Sequence, residues 1–334
     1  MTAPGRRAKV TRAGYACPGR AYIGGLVSDS NDAGVRLSGL AFALSAYVVW
    51  GLFPLYFKML DHVAPLEVLA YRIVWTVPLV ALVLFLRTQW APVRDALRDP
   101  AQLMLLGTSA VLIAVNWGVY IWAVTNDRVL EASLGYFMTP LVSVALGIVL
   151  FSERLRPLQW LAIGLAAAGV LQLLVREGVL PWVGLAVAFS FGLYGGLRKR
   201  AAVESAAGLF IETLLLMPLA LLWITWLVAT QSGSFMVVDL QTDMLLIGAG
   251  VATAVPLIFY VAAARRLRLS TLGVLFYLTP TIQFGLGTWL YGEPLTAARL
   301  ATFVLIWIGL AIHFGEGRFH ERRVRRAAGL EASP

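Results

Sequence analysis

The end of one long apolar segment and the whole of the next are contained in AVNWGVYIWAVTNDRVLEASLGYFMTPLVSVALGIVLFSE, residues 114–153. Only the polar turn at residues 125–128 separates the two segments. A helix needs about 20 mostly apolar residues to cross the hydrocarbon core of a bilayer. This stretch therefore predicts two consecutive membrane-spanning helices that are joined by a short turn.

The composition of the whole chain extends this prediction. Of its 334 residues, 59% are hydrophobic and 13% are charged, whereas soluble domains contain about 25% charged residues. The chain has too little polar surface for a soluble fold of this size, which excludes large soluble domains. We therefore expect an all-α integral membrane protein with ten transmembrane helices, at residues 38–59, 66–86, 101–124, 129–151, 157–175, 181–197, 207–230, 243–264, 271–291 and 296–315.

The distribution of Lys and Arg predicts the orientation of these spans. The chain carries 27 Lys and Arg against 18 Asp and Glu, a net charge of +9. The predicted loops on one side hold only Arg128 and Arg176, whereas almost all the other cations lie on the opposite side or in the tails. Cytoplasmic loops retain Lys and Arg, so both termini are predicted to be cytoplasmic in a bacterial plasma (inner) membrane. The positive charge then indicates membrane orientation, and we expect no nucleic-acid partner.

The segments outside the spans carry little chemistry. Residues 1–37 are predicted to be a disordered, basic cytoplasmic tail, and residues 316–334 a second basic cytoplasmic tail. The single cysteine, Cys17, excludes an internal disulfide, and the three histidines are too scattered for a metal cluster. No segment matches the nucleotide-binding loop G-x-x-x-x-G-K-[ST], so we expect no cofactor, no metal and no ATP hydrolysis.

An internal repeat divides the spans into two sets of five, residues 38–175 and residues 181–315. Shifts of about 140 to 145 residues superpose similar positions of the two halves. The matches that weigh most are Tyr120 with Tyr260, Thr139-Pro140 with Thr279-Pro280, Glu153 with Glu293, and Glu67 with Glu212. Because each copy has an odd number of spans, the second copy enters the membrane from the other side. Inverted repeats of this kind are typical of secondary transporters, whose substrate sites lie near the membrane midplane between the repeats.

Several motifs add a family resemblance. The chain resembles the RarD branch of the EamA-type transporters, in the drug/metabolite transporter superfamily, over residues 37–315. The motifs that carry this resemblance are AYVVWGLFPLYFKM (46–59), EASLGYFMTPLVSVALG (131–147), FSERLRPLQWLA (151–162), LYGGLRKR (193–200), RLRLSTLG (266–273) and YGEPL (291–295). The resemblance implies a drug/metabolite transporter fold of ten helices in two inverted five-helix repeats, a central cavity and export. It also implies a chloramphenicol-sensitivity label without a well-defined physiological substrate.

Two prolines in matching places suggest where a cavity lies. A proline inside a helix leaves the carbonyl four residues earlier without its partner, so Pro140 frees the carbonyl of Tyr136 and Pro280 that of Phe276. Free backbone groups at membrane depth are tolerated where they line a cavity or are buried in protein. The fourth and ninth spans therefore become candidate cavity walls, with Tyr136 and Tyr277 as aromatic contacts. The alternative is that both prolines only kink their helices, with the preceding threonine bonding back to the chain.

Other residues within spans extend this candidate cavity. Asn116 needs a hydrogen-bond partner in hydrocarbon, so it faces either a substrate or a neighbouring helix. Aromatic side chains in three spans suit an amphiphilic or aromatic solute, although aromatics near span ends are often interfacial anchors. These aromatic candidates are Tyr47, Trp50, Trp117, Tyr120 and Tyr260.

Charged residues within spans are the candidates for gating or coupling, because they are costly at membrane depth. Arg72 and Glu212 lie in matching spans but at levels roughly 13 Å apart along the membrane normal, as estimated from helix rise and bilayer thickness. We therefore expect no direct ion pair between them. Arg72 is instead predicted to join Lys58, Glu67 and Glu131 in an outer network that opens during transport. The alternative is that Arg72 snorkels to the interface and the others are ordinary helix-end charges. Glu212, near Arg198 and Lys199, is the inner counterpart, and any of these carboxylates is a candidate for a coupling proton.

The remaining features are interpreted as structural. Glu153 and Glu293, in turns after the fourth and ninth spans, are interpreted as helix caps. Gly192 and Gly196 have the spacing that allows close helix packing, within the chain or in a homodimer. The sequence thus predicts a secondary transporter, an exporter of small organic metabolites or drugs by alternating access, with the lipid bilayer and a small-molecule substrate as partners. The alternative is an integral-membrane enzyme acting on an amphiphilic or lipid-linked substrate, which needs a clustered nucleophile or metal site that the sequence does not contain.

Overall fold

The computed structural model describes residues 28–151, 156–264, 266–267 and 269–327. These residues form thirteen α-helices and no β-strand. The described part of the chain is therefore all-α, as the sequence predicts. The helices are α1 (Ser28–Gly51), α2 (Phe53–Lys58), α3 (Pro65–Leu86), α4 (Ala91–Arg98), α5 (Pro100–Thr125), α6 (Val129–Phe151), α7 (Pro157–Glu177), α8 (Trp182–Arg200), α9 (Ser205–Ala229), α10 (Leu240–Ala264), α11 (Leu269–Leu275), α12 (Leu278–Gly285) and α13 (Ala297–Ala327). A π-helical turn, Leu286–Leu290, extends α12.

Seven segments of the described chain are helical, long and apolar enough to cross a membrane. They correspond to the first five predicted spans and to the seventh and eighth. Their bounds are Leu37–Lys58, Pro65–Leu86, Pro100–Thr125, Val129–Leu146, Pro157–Glu177, Ala206–Ala229 and Leu240–Ala264. This is the helix content of a multi-pass membrane protein.

The other three predicted spans are helical but less uniform. Helix α8, at the sixth predicted span, has 19 residues and ends in three consecutive basic residues. The ninth predicted span is interrupted, since α11 ends at Leu275 and α12 begins at Leu278. Helix α13 is apolar over Ala297–His313 and continues beyond it as a more polar helix.

The two predicted tails differ from the expectation where they are described. Residues 28–36, the last part of the segment expected to be a disordered tail, are helical as part of α1. Helix α13 likewise runs into the predicted second tail, to Ala327. Residues 1–27 with Cys17, residues 328–334, and Glu153 lie outside the described residues.

Proline marks the beginning of three long helices. Pro65, Pro100 and Pro157 each occupy the first position of a helix, where a missing N–H costs no hydrogen bond. At α5 the preceding Asp99 completes the cap, since its side chain accepts hydrogen bonds from the amides of Ala101 and Gln102. These signals explain why the short turns between spans lie close to the predicted boundaries.

The helices pack mainly across the two halves of the chain. Helix α3 packs on α9 and α10, α1 on α10, α5 on α8, α6 on α8, and α7 on α13. Glycines allow several of these approaches: a Cβ at Gly135 of α6 would lie 2.6 Å from the carbonyl oxygen of Gly184 of α8. Gly192 packs against Val142 and Ser143 of α6, which assigns this glycine to packing within the chain.

The contact between α10 and α3 provides a stability prediction. A Cβ at Gly250 would lie 2.5 Å from the carbonyl carbon of Trp75, a backbone atom that cannot move aside. Gly250→Ala should therefore lower stability by about 1–3 kcal/mol, as is usual for overpacking. The loss is measured as a lower unfolding temperature: protein in detergent is heated, and the fraction that remains folded is determined by size-exclusion chromatography.

Gly164→Ala in α7 is the matched control, because a Cβ at that position meets no atom within 4 Å. The control variant should unfold at the wild-type temperature or slightly above it, since alanine favours a helix. Equal unfolding temperatures for the two variants would contradict the close α3–α10 contact.

Candidate functional site

Arg72 occupies the centre of the candidate site. Its side chain is buried on α3, with a relative exposure of 3%. Nε donates a hydrogen bond of 2.8 Å to Oγ1 of Thr253 on α10. The guanidinium carbon lies 4.2 Å from the centroid of the Trp117 ring, 5.5 Å from that of Phe57 and 5.6 Å from that of Phe53. Residues of α2, α3, α5 and α10 thus meet at one buried cation.

The four residues that the sequence predicts as one outer network, Lys58, Glu67, Arg72 and Glu131, each have a different partner in the structure. Arg72 does not pair with the outer carboxylates, nor does it snorkel. The reason is helix geometry: Glu67 precedes Arg72 by five residues, which places the two side chains roughly 140° apart around α3. Burial of Arg72 among aromatic rings was not apparent from the sequence, since the partner rings come from other helices.

The outer members of that set instead hold separate junctions between helices. Lys58 forms an ion pair of 2.7 Å with Asp127 in the turn between α5 and α6. The buried carboxylate of Glu67 accepts a hydrogen bond of 2.7 Å from the amide of Ser234, between α9 and α10. Glu131 accepts one of 2.9 Å from the amide of Val183, at the beginning of α8.

Aromatic side chains from both halves of the chain form a central aromatic cluster. Its members are Tyr47, Trp50, Tyr120, Tyr136, Phe191, Tyr260 and Phe276. Tyr47 lies 5.8 Å from Trp50, 6.3 Å from Tyr260 and 5.9 Å from Phe276, centroid to centroid. Tyr136 connects this group to Tyr120, at 5.7 Å, and to Phe276, at 6.4 Å. Four of the predicted cavity aromatics and Tyr136 are therefore adjacent and pack against one another.

This cluster borders the buried cation. Tyr120 lies 6.2 Å from Phe57, whose ring contacts the Arg72 guanidinium. Tyr120, Tyr136 and Tyr56 all lie close enough to Arg72 to interact with it electrostatically. The cluster and the cation thus form one continuous site.

Tyr277, a predicted cavity aromatic, lies beside this cluster, with its ring 6.4 Å from that of Phe276. Its ring stacks on Phe137 of α6 at 6.1 Å, in a separate core with Phe303 and Trp307 of α13. The neighbouring residue, Phe276, occupies the position in the aromatic cluster that was predicted for Tyr277. Consecutive residues in a helical segment point about 100° apart, so only one of these two rings faces the centre.

Asn116 connects three helices. Its amide nitrogen donates to the carbonyl of Val187 and to Oγ of Ser190 on α8, both at 3.1 Å. Its oxygen accepts from the hydroxyl of Tyr136 on α6, at 3.3 Å. The contacts of Asn116 in the structure are therefore those of an interhelical link.

The two matching prolines behave differently. Helix α6 continues through Pro140, and Thr139 bonds back to the carbonyl of Gly135 at 3.0 Å, as in the packing alternative. Pro280 lies in the first turn of α12, and the helix is interrupted just before it, at Phe276 and Tyr277, where the carbonyl of Phe276 accepts from the amide of Thr279. The Phe276 carbonyl is therefore not left free.

The first turn of α12, which contains Thr279 and Pro280, forms hydrogen bonds with two other helices. Thr279 donates through Oγ1 to the carbonyl of Tyr47 on α1, at 3.0 Å. Ser133 of α6 donates to the carbonyl of Pro280 itself, at 2.8 Å. The interrupted helix is thus fixed to both α1 and α6.

Gln283 is a site residue that the sequence reasoning missed. It is buried on α12, and Nε2 donates to the hydroxyl of Tyr120 at 3.0 Å and to the carbonyl of Trp50 at 3.2 Å. Its Oε1 is buried and has no hydrogen-bond partner among the described residues. An amide within a predicted span, three residues after Pro280, was the available signal.

Glu212 forms a second buried polar cluster, on α9. Its carboxylate accepts hydrogen bonds from Ser109 of α5, at 2.5 Å, and from Tyr194 of α8, at 3.2 Å. Arg198 lies 3.7 Å away, so the predicted proximity of these two charges is present. Arg72 and Glu212 form no ion pair. Among the described residues, no group of three or more His, Cys, Asp or Glu side chains is arranged to hold a metal ion.

An apolar cleft lies between α3, α9 and α10, away from the aromatic cluster. Its lining residues are Val80, Val83, Arg87, Ala206, Ala254, Leu257, Ile258 and Val261. The cleft is therefore near the ends of α3 and α10 that carry the basic loops, where the sequence predicts the cytoplasmic side.

Glu293 links the two halves of the chain at the opposite end. Its carboxylate accepts hydrogen bonds from the amides of Val129, at 2.6 Å, and Leu130, at 2.8 Å. The residue thus caps a helix, as predicted, although the helix is α6 of the other half. Burial raises the pKa of Glu293 to about 6, and the two amide hydrogen bonds limit this rise.

The raised pKa predicts a pH-dependent stability. The folded chain holds the Glu293 proton more tightly than the unfolded chain, whose carboxyl has the ordinary pKa of 4.5. The resulting stabilisation is complete below about pH 4.5 and is lost as pH rises through about 6, by roughly 2 kcal/mol. The unfolding temperature of the wild type should therefore fall relative to that of Glu293→Gln between these pH values. A Glu293→Gln profile parallel to that of the wild type would contradict the prediction.

Known proteins resemble this chain over most of its length. The model of the EamA-like transporter family matches residues 37–175. The chain is 42% identical to Protein RarD of Escherichia coli (strain K12) over 296 residues, which cover 88% of this chain and 100% of that protein. It is 41% identical over 302 residues to an uncharacterized transporter of Vibrio cholerae serotype O1, covering 90% of this chain and 99% of that protein.

A solved structure supports the same fold. A crystal structure with 20% sequence identity superposes with a TM-score of 0.52, covering 83% of this chain and 97% of that chain. Together with the apolar helices, the transporter relatives identify the protein as a multi-pass membrane transporter rather than an enzyme. The chain belongs to the EamA-like transporter family, as a RarD-type member.

Proposed function

We propose that the chain is a secondary transporter of the bacterial inner membrane that exports small organic metabolites or drugs by alternating access. The observation that carries this proposal is the buried site of Arg72 and the central aromatic cluster, which takes residues from both halves of the chain. Secondary transporters hold substrate at the interface between repeats, near the membrane midplane. The clustered rings provide a surface suited to amphiphilic or aromatic solutes.

The proposed architecture has ten transmembrane helices in two inverted repeats of five. Under the sequence repeat, α1, α3, α5, α6 and α7 correspond to α8, α9, α10, the α11–α12 segment and α13. The packing follows this correspondence. The contact of α1 with α10 corresponds to the contact of α8 with α5, and both are present. Likewise, the contact of α6 with α8 corresponds to the contact of α12 with α1. Contacts that exchange in pairs are expected of two copies related by a two-fold axis, which supports the inverted repeat.

The conformation suggests how access alternates. On the side predicted to be external, Lys58, Glu67, Glu131 and Glu293 each join two separate parts of the chain. In our proposal the external contacts close the outer side in this conformation, and export requires them to separate as the repeats rock.

Counterflow in proteoliposomes tests transport directly. Purified protein is reconstituted into liposomes preloaded with unlabelled compound, and uptake of labelled amino acids, nucleobases and chloramphenicol is compared with protein-free liposomes. We expect protein-dependent counterflow of at least one compound. Failure with all of them, together with turnover of a lipid-linked substrate, would favour the enzyme alternative.

Glu212 is the carboxylate that we propose for ion coupling, because it is buried with two hydroxyl donors and one cation. A coupling carboxylate is needed for gradient-driven transport but not for exchange, which needs no net proton movement. Glu212→Gln should therefore retain counterflow within about twofold of wild type, while proton-gradient-driven transport falls by about tenfold or more. Glu177→Gln is the control and should retain both activities. Equal loss of both activities in Glu212→Gln would assign the residue to folding or binding instead.

The proposed orientation is tested by cysteine labelling. In a Cys17→Ser background, single cysteines are introduced by Ser232→Cys, between α9 and α10, or by Ala202→Cys, between α8 and α9; both positions are exposed. With cytoplasmic termini, an impermeant maleimide should label the first in intact cells and the second only after permeabilisation. The reverse pattern would invert the topology.

A further inference from the structure

The charge of Arg72 has no counter-ion within the described part of the chain. The carboxylates nearest in sequence or in matching spans have other partners, since Glu67 binds Ser234, Glu131 binds Val183 and Arg128, and Glu212 binds Ser109 and Tyr194. Charged side chains within a membrane are almost always paired or face a water-filled cavity. The buried guanidinium of Arg72 therefore lacks the anionic partner that a charged group within a membrane usually has.

The hydrogen bonds of Arg72 are also incomplete. Among the described residues, Oγ1 of Thr253 is the only acceptor that the guanidinium finds, and this bond uses Nε. Nη1 is buried and has no partner. The aromatic rings attract the positive charge, but they do not accept the N–H groups as an oxygen does. The edge of the guanidinium formed by Nη1 and Nη2 thus stays available for a ligand.

That edge has the geometry of an anion receptor. Two parallel N–H groups of a guanidinium match the two oxygens of a carboxylate, and this bidentate pairing is among the strongest hydrogen-bonded contacts in proteins. The bond to Thr253 and the Trp117 ring, 4.2 Å from the guanidinium carbon, hold the fork in place before a ligand arrives. Prior positioning reduces the entropy that binding costs.

The surroundings specify the rest of the ligand. Aromatic rings border the guanidinium, so the anionic group must be attached to an apolar, preferably flat, body. Across Tyr120 lies Gln283, whose buried Oε1 also has no partner and can accept a hydrogen bond from a donor on that body. The site therefore has a position for an anion near α3 and a position for a donor near α12.

The repeat does not account for Arg72. The matching position in the second half is Met217, which is apolar. A cation that only supported the repeated scaffold would be expected in both copies. Its presence in one copy favours recognition of a ligand that has a charged end and an uncharged end.

We propose that Arg72, held by Thr253 and Trp117, binds the carboxylate of a small organic anion with an apolar or aromatic body. This assignment rests on the proposed transport function and adds the substrate class. Arg72 is then a recognition residue at the centre of the site, and not a member of the outer gate.

Binding of matched acids and amides tests this proposal. The probes are 4-hydroxybenzoate with 4-hydroxybenzamide, and indole-3-acetate with indole-3-acetamide, each pair differing in the anionic group and carrying a hydrogen-bond donor. Equilibrium dialysis against purified full-length protein in lipid nanodiscs measures the affinity of each. In at least one pair, the wild type should bind the acid about tenfold more tightly than the amide, the usual scale for a charged hydrogen-bonded contact.

Variants separate recognition from packing. Arg72→Met keeps an unbranched apolar stem but removes the guanidinium and its charge, so the preference for the acid should disappear. Arg266→Gln is the matched control, because Arg266 also lies over an aromatic ring, that of Phe42, but is exposed and outside the site. This control should keep the preference of the wild type.

Thermal unfolding distinguishes a recognition residue from a packing residue, because only loss of a packing residue should lower the unfolding temperature. Replacing a buried unpaired charge by an apolar chain is often neutral or stabilising, so Arg72→Met should unfold at or above the wild-type temperature. If Arg72→Met does not yield folded protein, Arg72→Gln in the binding assay decides the question. A strong loss of thermal stability in folded Arg72→Met, with acid preference unchanged, would identify Arg72 as a packing residue and overturn the proposal.

The outcomes also separate this proposal from the proposed function. Equal affinity of acid and amide in both pairs on the wild type would overturn the anion site, even if counterflow of a neutral compound occurs. A preference for the acid that depends on Arg72, without transport of any compound in liposomes, would instead support the binding site and contradict transport.

Discussion

A polar group at membrane depth must find its hydrogen-bond partner within the protein, because hydrocarbon offers none. This constraint decides where many helices of the chain meet. Asn116 joins α5 to α8 and α6, Gln283 joins α12 to α5 and α1, and Glu212 joins α9 to α5 and α8. Apolar packing alone specifies such positions weakly, since lipid tails solvate an apolar helix face about as well as another helix does.

The same constraint explains what the sequence could predict and what it could not. Each of the ten apolar segments predicted from the sequence contains helix in the structure, because the need to satisfy backbone groups acts locally along the chain. Side-chain partners depend on rotation about each helix axis and on which helices are neighbours. The sequence alone did not specify that Glu67 faces the loop after α9 while Arg72 faces Trp117. Pro280 signalled a disturbance of the ninth span, but not that Phe276 rather than Tyr277 would face the aromatic cluster.

Under the proposed inverted repeat, the scaffold and the chemistry differ in symmetry. Helix contacts exchange in pairs between the two halves, whereas the polar residues of the centre do not. Arg72, Asn116 and Gln283 correspond to Met217, Pro256 and Ser143 in the other half. A repeated scaffold can adopt two conformations of similar energy, one open to each side. In the proposed transporter, polar residues present in only one repeat give a bound molecule one preferred orientation in either conformation. The two repeats can therefore move symmetrically while the residues that bind the molecule differ between them.

The contacts made by Glu67, Glu131 and Glu293 differ in chemistry from surface ion pairs. Glu67, Glu131 and Glu293 bind backbone amides, and two of these amide groups begin the helices α6 and α8. Amides at a helix N-terminus carry partial positive charge and are fixed by the helix, so a carboxylate bound to them loses less side-chain entropy than one that pairs with a mobile lysine. Such contacts respond weakly to salt, because the amide partner is held in place by its helix or turn and carries only a partial charge. The strength of these junctions therefore depends on the choice of amide partners rather than on the number of charges.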